Sequence, residues 1–252
     1  MPLGVNQYDA GRFERDNVTG DSVSIISPGI VTDQLWIYLD AGNSFSYPRT
    51  GTTWTDIGAR GLNLALTNTT FSTVNGGYLI FNGTAYGAAE TTRITGSVGI
   101  TLSAWAYTTT LASKGGILTV NSGAAGDRGY SILFGGGDAN NPIYAQTRGT
   151  SVTAVSQFDN PSINTWYHVC GVFEGTAFRQ LYVNGVAQTE NTTIANGAAV
   201  INYGVATTTS SSPGSLSDLL NGRIAQAMIY DRMLSPDEIS QNFNATRVRF
   251  GV

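Results

Sequence analysis

The carboxylates are the side chains of this sequence that could carry out hydrolysis, because a retaining glycosidase uses two carboxyl groups about 5 Å apart. On a β-strand, such a pair stands at positions whose side chains share one face. The glutamates do not fall into that spacing on any predicted strand: Glu14, Glu90, Glu174, Glu190 and Glu238. We therefore predict no catalytic residues and expect that the protein is not an enzyme.

The chain contains one histidine and one cysteine, His168 and Cys170. They lie two residues apart in a run typical of a strand, so their side chains should share one face. No nucleophile elbow surrounds them, and we expect a packed, hydrogen-bonded histidine and a cysteine that fills the core. The counts also exclude a disulfide within the chain and a histidine-rich zinc site.

Calcium is an open alternative, because this hard cation binds several carboxylate and carbonyl oxygens. The aspartates at predicted strand ends or in glycine-rich loops are Asp40, Asp56, Asp127, Asp138 and Asp218. Asp40 and Asp218 are the calcium candidates that we retain. The alternative is that these aspartates form turns by bonding to their own backbone, so we assign no metal or cofactor.

Aromatic residues in the predicted loops could stack on sugar rings. The aromatic residues in these loops are Phe45, Tyr47, Trp54, Tyr86 and Tyr144, and the candidates that we retain are Tyr47, Trp54 and Tyr86. The alternative is that these rings fill the core at the ends of the fold, as most large aromatic side chains do.

The elements that would position these residues are short strands. Apolar runs separated by Gly, Pro, Asn and Ser follow one another from Val31 onward. In I-T-L-S-A-W-A-Y over residues 100–107, alternate residues should face opposite sides. Asn184-Gly185 between two apolar runs predicts a type I′ hairpin turn.

One short helix is predicted near the end of the chain, over residues 235–243. Ser235 would be its N-cap, Pro236 its first residue and Glu238 the partner in a capping box. Because strands do not alternate with helices, the pattern favours an all-β fold, a two-sheet antiparallel jelly-roll sandwich.

Composition excludes several classes of protein. The chain has 252 residues, a net charge of −4 at pH 7 and only 12% charged residues, which argues against a nucleic-acid-binding surface. No apolar stretch is long enough to cross a membrane, and the first residues lack the pattern of a secretory signal.

The N-terminal region differs from the rest of the chain. Residues 1–30 mix charged residues with few apolar ones, and only S-V-S-I-I-S over 22–27 alternates as a strand would. We interpret 1–30 as an extended arm that docks on neighbours, and the alternative is a disordered leader. The predicted organisation is this arm, a domain over 31–243 and a tail over 244–252.

Four blocks in the predicted domain carry a family resemblance. They read L-W-I-Y-L-D-A-G-N-S-F-S-Y-P-R-T-G-T-T-W-T-D-I at 35–57; Y-L-I-F-N-G-T-A-Y at 78–86; I-T-L-S-A-W-A-Y at 100–107 with W-Y-H-V-C-G-V-F-E-G-T at 166–176 and L-Y-V-N-G at 181–185; and N-G-R-I-A-Q-A-M-I-Y-D-R-M-L-S-P-D-E-I at 221–239. Their order and spacing resemble the concanavalin A-like, laminin-G-like jelly-roll domains found in bacteriophage virion structural proteins. The closing N-F-N-A-T-R-V-R-F-G-V at 242–252 is similar to the tail of the phage members. Small residues such as Ala104, Gly171 and Ala225 would let the two sheets approach.

The chain departs from the family pattern at one step. Where many members read F-D-G-x-D-D, this sequence reads F-N-G-T-A-Y over residues 81–86. The substitution removes the carboxylates most often found there, which weakens the expectation of calcium.

The resemblance implies a non-enzymatic virion structural protein, either a capsid decoration or cement protein or a component of the tail or fibre. The jelly roll would serve protein–protein contact, and the 1–30 arm and the 244–252 tail would bind other virion proteins within a homo-oligomeric assembly. The alternative is a carbohydrate-binding adhesin module for host-surface glycans, with calcium as an optional ligand.

Overall fold

The computed structural model describes residues 13–15, 22–24, 29–89, 99–121, 129–149, 151–175, 177–195, 202–208 and 216–252. The strands in these ranges are, in chain order, β1 (Phe13–Arg15), β2 (Ser22–Ser24), β3 (Leu35–Asp40), β4 (Thr53–Trp54), β5 (Leu64–Thr67), β6 (Thr70–Ser72), β7 (Tyr78–Asn82), β8 (Tyr86–Ala89), β9 (Ile100–Thr108), β10 (Lys114–Asn121), β11 (Gly129–Gly135), β12 (Ile143–Arg148), β13 (Thr153–Phe158), β14 (Trp166–Glu174), β15 (Phe178–Val183), β16 (Val186–Ala187), β17 (Asn202–Val205) and β18 (Asn221–Tyr230). Helix α1 spans Pro236–Thr246, and 3₁₀ turns span Val74–Gly76 and Arg247–Phe250.

Two large antiparallel sheets pack face to face and enclose the main core. The first, which we call the open sheet, has the strand order β13-β12-β11-β10-β17-β8-β5-β4. The second, which we call the covered sheet, has the order β16-β15-β14-β9-β18-β7-β6, and β3 also pairs with β18. The predicted two-sheet antiparallel jelly-roll sandwich is confirmed.

The covered sheet is buried on both of its faces. Every residue of β9 is buried, and so are the first eight residues of β14. Leu102 and Ala104 belong to the core between the sheets, whereas Trp105 belongs to a second cluster on the opposite face. Continuous apolar runs such as these are typical of strands covered on both sides.

Small residues act differently on the two faces of this sheet. A Cβ atom at Gly171 would lie 2.8 Å from Ile132 of the open sheet, so the glycine allows the sheets to approach as predicted. Ala225, expected to serve the same purpose, lies instead on the far face beside Trp105. The reason is a β-bulge in β18 that shifts its register against β9.

Strands β12 and β13 of the open sheet are buried on one face only, whereas the central strands β10 and β11 are buried along almost their whole length. In β12, Ile143 and Ala145 belong to the core, while Tyr144, Gln146 and Arg148 alternate with them and are less buried. This alternation is typical of an antiparallel sheet with one solvated face. The outer face of β12 and β13 is therefore a surface that a ligand can reach.

The predicted hairpin turn is confirmed by the backbone. Asn184 and Gly185 have φ values of 51° and 77°, the left-handed region that a type I′ turn requires at both central positions. A side chain at position 185 would also crowd the ring of Phe243, because a Cβ atom there would lie 3.2 Å from it.

The capping box of α1 is confirmed as well. Ser235 Oγ accepts a hydrogen bond from the Glu238 amide at 3.3 Å, and Glu238 Oε2 accepts one from the Ser235 amide at 2.8 Å. Hydrogen bonds from the Arg232 guanidinium to Glu238 lower the pKa of this carboxyl to about 2. The helix continues to Thr246, past the domain end predicted at residue 243.

The C-terminal residues fold back onto the covered sheet. The Phe250 ring stacks on Trp105 at a centroid distance of 4.2 Å and contacts Trp166 at 4.9 Å. Arg249 Nη1 forms an ion pair with Asp40 Oδ1 at 2.8 Å. Residues 244–252, predicted as a separate tail, are thus part of the domain, because the two tryptophan rings on that face require cover.

Little of the predicted N-terminal arm lies within the described residues. Strands β1 and β2 pair with each other, so Ser22–Ser24 forms part of the strand predicted over 22–27. The other residues of the 1–28 stretch lie outside the described residues. Val31 already belongs to the domain, since its amide donates to Asn242 Oδ1 of α1 at 2.8 Å.

Across the ranges that the structure describes, no helical segment is long and apolar enough to span a lipid bilayer.

Replacing Phe250 by alanine should lower the free energy of unfolding by about 3 kcal/mol, because it removes a ring buried against two tryptophans. Val248→Ala is the matched control, since Val248 belongs to the same turn but is 85% exposed, and it should change stability by less than about 0.5 kcal/mol. Urea unfolding followed by tryptophan fluorescence measures both. Equally small losses in the two variants would contradict a structural role for the C-terminal residues.

Candidate ligand-binding site

A row of polar side chains crosses the outer face of the open sheet. Thr119 of β10 pairs with Ser131 of β11, and Ser131 pairs with Gln146 of β12. Residues directly opposite each other on antiparallel strands point to the same face. The neighbours Val120 and Ala145 point into the core instead, so the three polar residues lie on the opposite face of the sheet, where Thr119 and Ser131 are buried and Gln146 is partly exposed.

This row forms the floor of a small recess, which we call the polar recess. Arg148 stands beside Gln146 at the β12 end, and Thr208 and Asp218 line the opposite end, beyond β10. The enclosed space is about 20 Å³, so a ligand larger than a water molecule would rest on the face of the sheet and not inside the recess.

The β12 end of the polar recess has side chains that the fold does not use. The side chains of Ser131, Gln146 and Arg148 make no hydrogen bond or ion pair with any group that the structure describes. Gly129, which pairs with Arg148, allows β10 to approach closely, because a Cβ atom there would lie 2.1 Å from the Val120 carbonyl oxygen. Of these three side chains, Gln146 is partly exposed and Arg148 is exposed, so their donors and acceptors are available to a ligand.

The opposite end is held in place by local hydrogen bonds. Thr208 Oγ1 donates to Asp218 Oδ2 at 2.7 Å, and Thr119 Oγ1 donates to the Thr208 carbonyl at 3.2 Å. The Gly116 amide donates to the Asp218 carbonyl at 2.7 Å. Asp218 adopts a left-handed φ of 51°, which aspartate tolerates better than most residues. The carboxylate therefore has a fixed position, and no described residue donates to its Oδ1.

The two calcium candidates are not brought together. Asp218 lines the polar recess on the open sheet, whereas Asp40 lies on the far face of the covered sheet. Asp40 Oδ1 accepts from Arg249 and from the Gly42 amide, each at 2.8 Å, and Oδ2 accepts from Gln226 at 2.7 Å. A carboxylate surrounded by these donors, one of them a cation, is a structural ion-pair partner and not an open calcium ligand.

The other aspartates considered for calcium have structural partners or lie outside the described residues. Asp56 accepts from the amides of Tyr38 and Gly58, as the turn-forming alternative predicts. Asp138 pairs with Lys114 at 3.0 Å, and Asp127 lies outside the described residues. Within the described ranges, no three His, Cys, Asp or Glu side chains are grouped to hold a metal ion. Calcium at Asp218 stays a prediction.

Of the stacking candidates, Trp54 and Tyr47 are not available to a sugar. Trp54 is completely buried, and Tyr47 is 3% exposed with its hydroxyl donating to the Gly51 carbonyl. The prediction that these two rings stack on sugars is therefore wrong. Tyr47, in the loop before β4, and Trp54, in β4, both belong to the core between the sheets.

Tyr86 differs from these two rings. It begins β8 and is partly exposed, while the adjacent Gly87 faces Leu64 in the core. Tyr86 therefore lies on the outer face of the open sheet, the face that carries the polar recess. Tyr144, two residues before Gln146 on β12, lies on the same face.

Sequence reasoning missed Gln146 and Arg148. The signal that could have found them is the alternation in I-Y-A-Q-T-R over residues 143–148, which marks every second residue as solvent-facing. Alternation alone does not show that Thr119 and Ser131 lie next to them, because strand order is a property of the fold.

The single histidine and cysteine lie in a sealed cluster. His168 is fully buried, with Nε2 3.0 Å from Ser103 Oγ, and the rings of Trp105 and Phe243 pack against it. Burial lowers the pKa of His168 to about 4 and raises the pKa of Cys170 to about 12. Both groups are neutral and shielded from solvent, as expected for core residues, so they have no access to a substrate.

Comparison with known proteins identifies the family to which this fold belongs. A family model described as the concanavalin A-like lectin/glucanases superfamily matches residues 81–240. No curated protein gives a significant match. Among solved structures, Trypanosoma rangeli sialidase in complex with sialic acid is similar with a TM-score of 0.65 and 16% identity, covering 96% of this chain and 37% of that chain.

Two neurotoxin domains are also similar. The botulinum neurotoxin serotype G binding domain has a TM-score of 0.60 and 13% identity, with 83% of this chain and 50% of that chain covered. The receptor binding domain of the botulinum neurotoxin C/D mosaic serotype has a TM-score of 0.62 and 11% identity, with 85% and 52% covered. The chain spans about a third to a half of these proteins, and identities this low show a shared fold alone.

Lowering the pH from 7 to 5 should decrease the free energy of unfolding by about 2 kcal/mol. In the unfolded chain His168 has its ordinary pKa of 6.5 and takes up a proton, whereas the buried imidazole, with a pKa of about 4, does not. The contribution of the neutral His168 to the free energy of unfolding is fully present above pH 6.5 and is lost as the pH falls toward 4. Urea unfolding at both pH values measures it.

His168→Gln is the control, because glutamine can still hydrogen-bond to Ser103 but does not titrate. Since the chain has no second histidine, the variant should lose most of its pH dependence between 7 and 5. An equally steep loss of stability in the variant would contradict this assignment.

Proposed function

The chain belongs to the concanavalin A-like lectin/glucanases superfamily, and we infer that it is a non-enzymatic, glycan-binding structural component of a bacteriophage particle. The observation that supports binding is the polar recess. Ser131, Gln146 and Arg148 line it without being used by the fold, and Asp218 is held in position at its other end.

The composition of the polar recess favours binding over hydrolysis. A glycosidase of the common type needs two carboxyl groups that flank the scissile bond. Asp218 is the sole carboxylate among the described residues that line the recess. The similarity to a sialidase concerns the fold and a chain nearly three times as long, so it does not bring catalytic residues to this protein.

A glycan is the ligand class that fits these side chains. Sugar hydroxyls both donate and accept hydrogen bonds, and hydroxyl, amide, guanidinium and carboxylate groups all face the polar recess. The similar neurotoxin domains are named as binding domains, which is compatible with a binding role for this sandwich.

The virion setting is supported by the sequence resemblance, above all by the closing residues 242–252. Because residues 244–252 cover their own domain, the 1–30 arm is the segment that we assign to docking on other virion proteins. A capsid decoration or cement protein and a tail or fibre component both need such a rigid module, carried in several copies by a larger assembly.

On a glycan array, the full-length protein should bind a subset of glycans, and the double variant Gln146→Ala/Arg148→Ala should weaken that binding by about tenfold or more, because hydrogen bonds from a charged donor are lost. Arg247→Ala is the matched control, since Arg247 is exposed beside α1 on the covered side of the sandwich. Unchanged binding by the double variant would contradict the polar recess as the binding site.

Removing residues 1–28 tests the virion proposal. The shortened chain should keep the melting temperature of the full chain, because the two sheets and α1 lie outside the deletion. It should fail to join particles when it replaces the full chain during assembly, as measured by mass spectrometry of purified particles. Normal incorporation of the shortened chain would contradict docking through the arm.

A further inference from the structure

Helix α1 and the 3₁₀ turn after it, residues 236–250, lie over the single histidine of the chain, and we call this segment the C-terminal cover. The centroid of the His168 ring is 5.4 Å from that of Trp105 and 5.8 Å from that of Phe243 in α1. Phe250 stacks in turn on Trp105. His168 is completely buried, and on this face of the covered sheet the C-terminal cover separates it from solvent.

The side chains that pack around His168 from the described elements carry no charge. They are Ser103 and Trp105 on β9, Trp166 and Cys170 on its own strand β14, Tyr182 and Asn184 on β15, and Phe243 on α1. Two of these groups titrate, but burial raises the pKa of Cys170 to about 12 and also raises the pKa of Tyr182. Both are therefore neutral and offer no negative charge to a protonated imidazole.

The charged groups on the C-terminal cover and across the covered sheet do not compensate an imidazolium either. The guanidinium of Arg247 lies 5.8 Å from the Phe243 ring, on the outside of α1, and carries the same sign of charge. Asp40 lies three strands away from His168 in the strand register and is already paired with Arg249. A proton on His168 would thus add an uncompensated charge beneath the cover.

The hydrogen bonding of His168 also opposes protonation in the closed structure. Nε2 lies 3.0 Å from Ser103 Oγ, whereas Nδ1 is buried and has no hydrogen-bond partner among the described residues. A protonated imidazole donates from both nitrogens, so one of its donors would be buried without an acceptor. Burial accordingly lowers the pKa of His168 to about 4, and contact with solvent would restore a value near 6.5.

The C-terminal cover can leave without dismantling the sandwich. Among the described residues, the main core between the two sheets includes none from α1 or from the turn after it. The cover is held by its own contacts: Trp105 Nε1 donates to Thr246 Oγ1 at 2.7 Å, Arg249 pairs with Asp40, and Phe250 stacks on Trp105. A segment that packs on one face opens at a lower free energy than core strands do.

We propose that the C-terminal cover is an acid-released lid: a proton on His168 stabilises an open state in which residues 236–250 leave the covered sheet while the two-sheet core stays folded. This inference is independent of the proposed glycan binding. The open state would present the rings of Trp105 and Trp166, which the closed state hides. Between pH 7 and pH 5 the open fraction should rise about twentyfold, because the open form takes up the proton and the closed form does not.

Cys170 reports this opening without any added label. It is the single cysteine, lies on the same face as His168, and belongs to a buried cluster that includes Ile239 of α1. The full-length protein is treated at pH 7 and at pH 5 with dithiodipyridine, a disulfide reagent that reacts with thiols in acid. Each labelling rate is divided by that of the urea-unfolded chain at the same pH, which removes the effect of pH on the thiol itself.

Two variants separate the histidine from the contacts of the cover. His168→Gln does not titrate, so the open fraction should lose most of its twentyfold rise. Phe250→Ala weakens the cover but leaves the imidazole in place, so the open fraction should increase at both pH values while their ratio stays the same. If His168→Gln fails to fold, the wild type and Phe250→Ala still provide the test.

Low concentrations of urea distinguish release of the cover from unfolding of the whole domain. Release exposes little surface, so the open fraction should depend weakly on urea, whereas global unfolding depends on it steeply. An open fraction that is the same at pH 7 and pH 5 would overturn the proposal. A rise with steep urea dependence would overturn it too, because His168 would then reach solvent only when the sandwich unfolds. An equal rise in His168→Gln would assign the effect to another group.

Discussion

The structure depends on covering the second face of the covered sheet. Its central strands β9, β14 and β18 are buried on both sides, and Trp105 and Trp166 would face water if only the open sheet packed on it. Helix α1 and the turn after it supply the cover, with Phe250 seated against both tryptophans. The chain thus uses its last residues for folding, and the open sheet keeps the solvated face where binding can occur.

Polar groups beneath this cover specify how it docks. A row across the covered sheet joins His168, Trp105, Gln226 and Asp40 through the strand register, and Arg249 reaches Asp40 from the C-terminal turn. Apolar packing alone would let the last turn slide, whereas an ion pair with a nearly buried carboxylate is satisfied in one position only. Such pairs add little net stability but make misplacement costly, because an unpaired buried charge is destabilising.

The sequence predicted the elements better than it predicted the site. The hairpin at Asn184–Gly185 and the helix cap at Ser235 follow from local chemistry, and the sandwich follows from the strand pattern. The sequence places Trp54 at the end of a loop rich in Gly and Ser, whereas in the structure it belongs to β4, pairs with Leu64 and is fully buried, and this strand pairing cannot be read from the local pattern. The polar recess joins residues from separate strands, Ser131 and Gln146 among them, so no local pattern could reveal it.

The ion pair between Asp40 and Arg249 links residues 209 positions apart, and this separation has a kinetic consequence. Bringing such distant segments together costs loop-closure entropy before any contact repays it, so folds dominated by long-range pairing form slowly. The C-terminal turn can dock only after β3 and β9 have created its binding surface. The indole rings of Trp105 and Trp166 then pass from water into a stacked environment, so their emission should change in the slowest phase of refolding.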